Sequence, residues 1–327
     1  MSLRDARHAA GFTQGELAAR AGVSRQLISA VEVGRHLPRI DAALALAGAL
    51  GTRVDELFGA RRAPEDIRTG AVPPRGTVVR AGLVGDRVVT APLTSERSGW
   101  GVGDAVVRDG SVEWLSPRTA GLVVVGCEPG LHLLERLLRE RGMGSIAVLA
   151  SNAVALDALV AGRAHAAVVH GQPETLVAPE GVDRFRIATW RVGLTSDAAG
   201  DWVRGALAGK MPVIQREQGA GVQNTFEAAV DAVSLPIAGP TVGGHVEAAE
   251  RSLLLGLPAV TIEPAATALG LGFHPLATHE VELWVDARWR GDRLVSDAVN
   301  TMVTRRFIAR LEAVGGYDLS RVGSQIA

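Results

Sequence analysis

The 327-residue sequence has little cysteine, no excess of charge of one sign and no long apolar run. The single cysteine, Cys127, excludes an internal disulfide framework and a metal site built from several thiolates. A formal net charge of −1 argues against a chain covered in phosphate-binding surface. The N-terminus lacks the basic tip and apolar core of a signal peptide, and no apolar run could span a bilayer. We therefore expect a cytoplasmic protein with no membrane partner.

The composition is that of an ordinary globular protein, with 47% hydrophobic and 21% charged residues. At roughly 100–200 residues per domain, the length predicts two or three units. Charge is uneven along the chain, since arginines outnumber acidic residues near the N-terminus. The residues concerned are Arg4, Arg7, Arg20, Arg25, Arg35 and Arg39 against Asp5, Glu16 and Glu32. This local excess suits a small module that binds a phosphate backbone.

The most specific pattern in the chain is TQGELAARAGVSRQLISAVEVGR, residues 13–35. Thr13 and Glu16 form a T-x-x-E capping box, which predicts a helix that begins after Thr13. Gly22 can adopt the positive φ of a tight turn, so we expect this helix to end there. A second helix is predicted to begin near Ser24. Its buried positions are Val23, Ile28 and Val31.

These two helices define a helix-turn-helix, and the buried positions decide which face of the second helix is free. With Ile28 and Val31 inside, the opposite face carries Arg25, Gln26 and Ser29. In the major groove, arginine can bind guanine and glutamine can bind adenine through two hydrogen bonds each. Gln14 and Ser24 lie at helix N-termini and suit a phosphate oxygen. The sequence therefore predicts both base contacts and phosphate contacts.

The first sixty residues resemble the XRE family of repressors, of the lambda repressor and Cro type. The resemblance rests on L-R-x-x-R at Leu3, T-Q-x-E-L-A at Thr13, G-V-S-R-x-x-I-S at Gly22 and E-x-G-R-x-x-P at Glu32. It implies five helices and a homodimer on a two-fold operator, with base contacts from Arg25, Gln26 and Ser29. Arg35 of the last motif joins the predicted DNA contacts. The alternative is a helical bundle that contacts other proteins.

After Phe58 the chain loses helical periodicity and is rich in arginine, glycine and proline, so we predict a linker. The next stretch alternates short β-branched runs with Gly-Asp and Asp-Gly turns, which predicts three or four short strands. We expect this β-rich segment to pack against a larger domain or to mediate dimer contacts. The predicted boundaries are 1–60 for the helical module, 61–76 for the linker, 77–118 for the β-rich segment and 119–327 for the large domain.

The large domain alternates apolar runs with helical segments, which predicts buried parallel strands joined by crossover helices. The predicted strands are GLVVVGC, SIAVLAS, HAAVVHG, MPVIQ and PAVTIEP. The predicted helices are LHLLERLLRER, NAVALDALVAG, GDWVRGALAG, GVQNTFEAAVDAV and VEAAERSLLLG. In such sheets a ligand lies beyond the carboxyl ends of the strands.

Four polar turns are predicted at these strand ends, each followed by a helix. They are Cys127-Glu128-Pro129, Ser151-Asn152, His170-Gly171 and Arg216-Glu217-Gln218-Gly219. Backbone amides where a helix begins can bind an anion, as at Ser151-Asn152 and Gly219-Ala220-Gly221. The predicted ligand-binding residues come from these turns and from two further helix or strand ends. They are Cys127, Glu128, Ser151, Asn152, His170, Arg216, Gln218, Gly219, Ala220, Gly221, His245 and Glu263.

This region resembles the type 2 periplasmic-binding-protein fold, in its cytoplasmic, molybdate-binding-protein-like branch. The resemblance rests on G-C-x-P-G-L at Gly126, A-L-D-A-L-x-x-G-x-x-H-A-A at Ala155, R-E-x-G-A-G at Arg216, G-L-G-F-x-P-L at Gly270 and G-Y-D at Gly316. It implies two lobes joined by crossing strands near RFRIATWRVGL and HEVELWVDA, with a ligand in the cleft between them.

One departure from that family bears on the ligand. Oxyanion-binding relatives often have Ser-Gly-Thr where this chain has Ala220-Gly221-Val222, so two hydroxyl donors are missing. A small organic ligand with a carboxylate or phosphate facing Arg216 therefore stands beside molybdate or tungstate as a candidate.

The remaining reactive residues give no catalytic or metal motif. The histidines show no i, i+4 pair and no H-E-x-x-H run, so we predict no metal site. His165 precedes a buried strand and is expected to be a hydrogen-bonding group of the core.

Cys127 precedes a helix whose N-terminus would lower the pKa of the thiol and make it reactive. The alternative is that Cys127 is simply buried. No nucleophile elbow, Walker loop or carboxylate pair can be identified, so we predict no enzymatic activity and no cofactor.

Together these features predict a one-component transcription regulator. Its expected fold is an all-α five-helix module and an α/β two-lobed domain, with a β-rich connecting segment. Its expected partners are operator DNA and a small ligand, which is an oxyanion such as molybdate or a small anionic metabolite. The alternative is an enzyme that acts on a molybdopterin-related cofactor precursor and uses DNA binding for autoregulation. A transport receptor is set aside because the export signal is missing and a DNA-binding motif is present.

Overall fold

The computed structural model describes residues 3–33, 36–58, 63–93, 103–115, 121–198, 200–230 and 237–326. The chain divides into two compact units, Met1–Arg62 and Ala63–Ala327. The first unit is helical and the second is mixed α/β, which confirms the expected fold class. The finer division into linker, β-rich segment and large domain stays a prediction. Among the described residues, no helix is long and apolar enough to cross a membrane.

The described part of the first unit forms five helices around an apolar core. They are α1 (Leu3–Ala9), α2 (Gln14–Ala21), α3 (Arg25–Glu32), α4 (Ile40–Leu50) and α5 (Val54–Phe58). Thr13 and Glu16 form the predicted capping box at the start of α2, and Gly22 ends this helix with a φ of 65°. Ile28 is fully buried, as predicted for α3. The helix-turn-helix predicted from local signals is therefore confirmed.

One carboxylate ties α1, α2 and α3 together. Glu32 accepts hydrogen bonds from Arg7 Nε at 2.6 Å and Nη2 at 3.1 Å, and from Gln14 Nε2 at 2.8 Å. The side chains of Arg7 and Glu32 are both buried. Burial alone would raise the pKa of Glu32, but the bonds from Arg7 and Gln14 outweigh it and lower that pKa. The packing of these helices therefore depends on a charged Glu32.

The second unit begins with a five-stranded sheet in the order β1-β3-β2-β4-β5. Its strands are β1 (Glu65–Asp66), β2 (Val78–Val84), β3 (Arg87–Pro92), β4 (Ala105–Arg108) and β5 (Ser111–Trp114). The four strands from β2 to β5 match the short strands expected for 77–118. Within the stretch predicted to be a linker, β1 pairs with β3 and Ile67 is fully buried. The sequence did not predict β1 because a strand of two residues is too short to produce an apolar pattern.

A larger mixed sheet follows, in the order β12-β9-β13-β8-β6-β7, with β14 and β15 also paired to β9. Strands β6, β7 and β8 are parallel, whereas β9, β12 and β13 run antiparallel to their neighbours. The sheet is therefore only partly the parallel sheet that the alternating pattern predicts. Its strands are β6 (Val123–Gly126), β7 (Ile146–Leu149), β8 (Ala166–Gly171), β9 (Val182–Ser196), β12 (Ala259–Ile262), β13 (Gly272–Asp286), β14 (Tyr317–Asp318) and β15 (Gln325–Ile326).

The helices of the second unit cover this sheet. They are α6 (Leu131–Arg139), α7 (Asn152–Val160), α8 (Trp202–Leu207), α9 (Gly221–Ala229), α10 (His245–Leu255), α11 (Glu263–Ala268), α12 (Arg293–Met302) and α13 (Arg305–Val314). The predicted strand MPVIQ contributes only its last residue to a strand, in the short pair of β10 (Gln215–Arg216) and β11 (Thr241–Val242).

The predicted turn at His170-Gly171 is wrong. Both residues belong to β8, because β13 continues to pair with this strand as far as Gly171. A single 3-10 turn, Pro173–Thr175, follows in place of the expected α-helix. His170 is therefore held in a paired strand rather than in a loop.

Strands β9 and β13 are the long crossing strands expected near RFRIATWRVGL and HEVELWVDA. Each has 15 residues, and they pair with each other over almost their whole length. They approach so closely at Gly193 that a Cβ there would overlap the His274 carbonyl oxygen. Trp190 and His279 are direct neighbours in this register. The pairing thus places two large polar rings side by side in the middle of the sheet.

We expect Glu32→Ala to lower the free energy of unfolding of the first unit by roughly 2 kcal/mol, because Arg7 and Gln14 lose their charged acceptor. Hydrogen exchange followed by mass spectrometry on the intact chain should show faster exchange in α1, α2 and α3. All six tryptophans lie in the second unit, so its urea midpoint read by tryptophan fluorescence is an internal control that should not move. Unaltered exchange in these helices would contradict the role given to Glu32.

Candidate nucleic-acid interface and ligand site

The recognition face predicted on α3 is exposed in the structure. Arg25, Gln26 and Ser29 are all solvent-exposed, while Ile28 on the other side of the helix is fully buried. Ser24 caps α3, and its Oγ accepts a hydrogen bond from Leu27 N at 3.1 Å. The hydroxyl proton of Ser24 remains available to donate to another acceptor. The exposed side of α3 and its N-cap therefore offer a guanidinium, an amide and two hydroxyl groups to a partner.

The two other predicted DNA contacts, Gln14 and Arg35, lie outside α3 in the sequence. Gln14 is the first residue of α2, but its Nε2 donates to Glu32, so part of its amide already serves the packing of the first unit. Arg35 lies outside the described residues.

The structure brings four of the predicted ligand residues together in the second unit. Cys127 follows β6, His170 lies in β8, Arg216 lies in β10 and His245 begins α10. Cys127 Sγ lies 3.0 Å from His245 Nε2, and Arg216 Nη1 lies 2.7 Å from His245 Nδ1. One donor atom each of Cys127, His170 and His245 lies within 4.8 Å of the other two. We call these four residues the polar cluster.

Each nitrogen of Arg216 already donates a hydrogen bond within the protein. Its Nε donates to Glu217 Oε2 and to Val242 O, both at 3.2 Å, and its Nη2 donates to Glu217 Oε1 at 3.1 Å and to Gly243 O at 2.9 Å. Its Nη1 donates to His245. Every nitrogen of this buried guanidinium thus has an acceptor, and Glu217 matches its charge. The sequence-based expectation that Arg216 faces a ligand anion is not supported by these contacts.

A second histidine pair adjoins the polar cluster. His170 Nδ1 lies 3.0 Å from His279 Nδ1, and His279 Nε2 lies 3.3 Å from Thr225 Oγ1. The Trp190 ring lies edge-on to the His170 ring, with centroids 5.3 Å apart. A Cβ at Gly221 would lie in ordinary contact with both histidine rings, so the start of α9 packs against them.

Burial controls the charge of these side chains. It lowers the pKa of His279 to about 4 and holds the pKa of His170 and of His245 well below the usual value, with help from the positive Arg216. Burial also raises the pKa of the Cys127 thiol, although the charge of Arg216 opposes this. The three imidazoles are therefore neutral at neutral pH.

Glu128 and Tyr317 extend the polar surroundings of the cluster. Glu128 is buried, and its Oε1 accepts hydrogen bonds from Gly130 N at 2.6 Å and from Tyr317 Oη at 2.8 Å. Burial raises the pKa of Glu128 to about 7. Glu128 Oε2 and Trp190 Nε1 are buried without a hydrogen-bond partner among the residues that the structure describes. This region therefore has hydrogen-bonding capacity that the protein itself leaves unused.

The other predicted ligand residues have structural partners or lie on the surface. Ser151 caps α7, and Asn152 bonds both backbone groups of His170, at 2.7 and 3.2 Å. Glu263 is paired with Arg191 rather than with the polar cluster. Gln218 and Gly219 are exposed, and Ala220 and Gly221 form the start of α9. These placements leave the residues as predictions, with Asn152 best explained as a clamp on His170.

Sequence inspection missed Trp190, Thr225, His279 and Tyr317. His279 lies 109 residues from His170, and Cys127 lies 118 residues from His245. No short-range spacing signals such contacts. The one usable hint was that Trp190 and His279 fall in the two strands expected to cross.

Comparison with known proteins agrees with the helical first unit. A family model described as helix-turn-helix matches residues 3–57. An uncharacterized HTH-type transcriptional regulator of Methanothermobacter thermautotrophicus is 44% identical over 57 residues, which cover 17% of this chain and 83% of that protein. The chain therefore belongs to the helix-turn-helix transcriptional regulators, through this N-terminal part.

Solved structures similar to this chain include transport receptors and a regulator domain. An ABC-type phosphate transport receptor from Vibrio cholerae has a TM-score of 0.44 at 11% identity, covering 60% of this chain and 99% of that one. A putative phosphate ABC transporter substrate-binding protein from Clostridium perfringens has a TM-score of 0.47 at 9% identity, covering 61% and 99%. The OxyR regulatory domain of Pseudomonas aeruginosa has a TM-score of 0.43 at 12% identity, covering 56% and 98%.

His165 belongs to the core rather than to the polar cluster, as expected from the sequence. It is buried, its Nδ1 accepts a hydrogen bond from Val123 N at 3.0 Å, and its ring lies 4.7 Å from that of Trp289. Burial lowers the pKa of His165 to about 4, although the charge of Asp292 opposes this. Protonation would also remove the acceptor of Val123 N.

This lowered pKa gives a pH-dependent stability. The unfolded chain binds a proton at His165 near pH 6.5 but the folded chain only near pH 4, so stability is lost as pH falls through that range. The loss amounts to roughly 3 kcal/mol, and we expect His165→Gln to lack it. Urea unfolding followed by tryptophan fluorescence at several pH values would measure the difference between the two proteins. Parallel pH profiles would show that His165 has an ordinary pKa in the folded state.

Proposed function

We propose that this protein is a one-component transcription regulator in which α3 binds operator DNA and a small ligand in the second unit changes the affinity for that DNA. The observation that carries the proposal is the exposed face of Arg25, Gln26 and Ser29 on a capped helix with a buried opposite side. Membership of the helix-turn-helix regulators supports the same role. Such a protein acts in the compartment that holds the DNA, which for this chain we propose to be the cytoplasm.

Reading of the operator follows from the chemistry of this face. Arg25 suits the two major-groove acceptors of guanine, and Gln26 suits the donor and acceptor of adenine. Ser24 suits a phosphate oxygen, because its free proton can be donated while its oxygen caps the helix. One such face covers only a few base pairs, so we propose a homodimer that binds two half-sites.

The sensory ligand is proposed to bind beside the polar cluster, where Tyr317 contacts both Trp190 and Glu128. The sequence favours an oxyanion such as molybdate or a small anionic metabolite. A bare oxyanion needs donors that are free, whereas each nitrogen of Arg216 is already engaged. Trp190 Nε1 and Glu128 Oε2 offer one unused donor and one unused polar oxygen. These groups support a metabolite with both an anionic and a hydrogen-bonding part over molybdate itself.

Base reading is tested with the double variant Arg25→Ala and Gln26→Ala. We select an operator from a random duplex pool with the unaltered protein and measure binding by fluorescence anisotropy. Each lost base contact costs about 1–3 kcal/mol, so we expect the double variant to bind the operator at least about 10-fold more weakly. Arg310→Ala, which removes an exposed arginine of the second unit, is the matched control and should bind normally. Undiminished operator binding by the double variant would refute the assignment.

Ligand sensing is tested by titrating molybdate, phosphate and a set of sugar phosphates and small carboxylates. A ligand bound beside Trp190 should quench tryptophan fluorescence and stabilise the fold, by about 2.7 kcal/mol at a concentration 100 times its Kd. Trp190→Phe keeps a ring but removes the Nε1 donor, so it should weaken that ligand. Operator affinity that never changes while the ligand is bound would overturn the sensory role. Tight binding of molybdate would overturn the preference for a metabolite.

A further inference from the structure

The polar cluster gathers the donor atoms that soft metal ions prefer. Cys127, His170 and His245 place a sulfur and two imidazole nitrogens within 4.8 Å of one another. Thiolate and imidazole together suit copper(I) and zinc(II). Cys127 directly follows β6, His170 is the last residue but one of β8, and His245 begins α10. A shared ion would therefore join parts of the fold that are far apart in sequence.

A chain of hydrogen bonds prepares His170 as a ligand. The Thr225 hydroxyl donates its proton to Gly221 O at 2.9 Å, because that carbonyl can only accept. Thr225 Oγ1 therefore accepts from His279 Nε2, which leaves His279 Nδ1 as the acceptor for His170 Nδ1. With its proton on Nδ1, neutral His170 carries a free lone pair on Nε2. Metal-binding histidines are oriented in this way, with the second ring nitrogen donating to a fixed acceptor.

His245 is held in the opposite tautomer. Arg216 can only donate, so His245 Nδ1 accepts its bond and the proton of His245 lies on Nε2, facing Cys127 Sγ at 3.0 Å. For His245 to bind a metal through Nε2, that proton must leave and Nδ1 must take one up. The bond from Arg216 to Nδ1 must then break. The cluster thus has a metal-free arrangement that Arg216 maintains and that an ion would replace.

Charge decides between the two metals. The negative charge of Glu217 is already paired with Arg216, so Glu217 offers no charge to offset a cationic metal complex. Copper(I) with one thiolate and two neutral imidazoles has no net charge and can be buried at little cost. Zinc(II) with the same ligands would keep a positive charge beside Arg216, which is unfavourable in a buried site. Three protein donors also suit copper(I), since structural zinc sites use four.

We propose that Cys127, His170 and His245 form a copper(I) site. On binding, the Cys127 thiol releases its proton to solvent as the sulfur–copper bond forms, and the proton of His245 passes from Nε2 to Nδ1 by exchange with water. Copper keeps its oxidation state throughout. The bond between Arg216 and His245 is lost, while Arg216 stays attached to Val242 and Gly243. Metal binding stands independently of DNA binding, and only its effect on the operator rests on the proposed function.

The test is an anaerobic titration of the metal-free full chain with copper(I) in competition with a chromophoric chelator. We expect one copper(I) per chain, and at least about 100-fold weaker binding in Cys127→Ser and in His170→Gln. His279→Gln disturbs only the orienting bond and should cost about 10- to 100-fold. His274→Gln is the matched control, because this histidine lies in β13 away from the cluster. Unweakened binding in Cys127→Ser or in His170→Gln would overturn the site.

A second measurement needs no variant. Cys127 is the only cysteine, so reaction with a thiol reagent reports on this one group. One equivalent of copper(I) should block the reaction, and zinc(II) at the same concentration should not. Free reaction in the presence of copper(I) would overturn the proposal, and equal protection by zinc(II) would overturn the choice of metal. Operator affinity is measured separately with and without copper(I), and an unaltered value with copper bound would overturn only the link to DNA.

Discussion

The antiparallel pairing of β9 and β13 is the constraint on which the second unit depends. Residues 192–195 of β9 pair with β12, and β13 pairs with β8, so the two strands connect both halves of the large sheet. Trp190 and His279 are neighbours in that pairing. The polar cluster is built around these two rings and therefore lies where the two halves meet. The strands that hold the sheet together also locate the candidate site.

The origin of the cluster residues makes this position relevant to sensing. Cys127 and His170 come from the parallel strands on one side, whereas Arg216 and His245 come from β10 and α10 on the other. A ligand that contacts both sets affects how the two sides pack. It can shift a conformational equilibrium only if it binds the two arrangements with different affinity. The bond between Arg216 and His245 is one contact that differs between an empty and an occupied cluster.

Local signals made the first unit predictable. The Thr13–Glu16 capping box and Gly22 each affect only the adjacent helical turn, so the ends of α2 could be predicted from the sequence. The same signals gave the exposed face of α3. The role of Glu32 was not predictable, because its partners Arg7 and Gln14 come from two other helices. Apolar periodicity shows which face of a helix is buried, but not which polar group will lie beneath it.

The second unit was predictable as an α/β sheet but not in its pairing. Apolar runs predicted most of the strands. A run does not show whether its strand is parallel or antiparallel to its neighbours, so the antiparallel pairing of β9 and β13 was not expected. The two-residue strand β1 is too short to produce a pattern. Cys127 and His170 were identified from their strand ends, whereas His279 was not, because only the strand register brings it to His170. Candidate residues could be identified from the sequence, but only the long-range pairing determines which of them are in contact.

Arg216 shows why the ligand chemistry differs from a simple anion site. Arginine beside a glycine-rich turn is a common way to bind a negative ligand, but here each nitrogen of the guanidinium already donates within the protein. A ligand that takes the place of His245 at Arg216, or that binds either ring nitrogen of His245, must therefore break a bond that the empty protein makes. Breaking that bond weakens the ligand's own binding. The same broken bond couples the occupied cluster to β10 and α10, so competition for Arg216 is what links binding to a change in the fold.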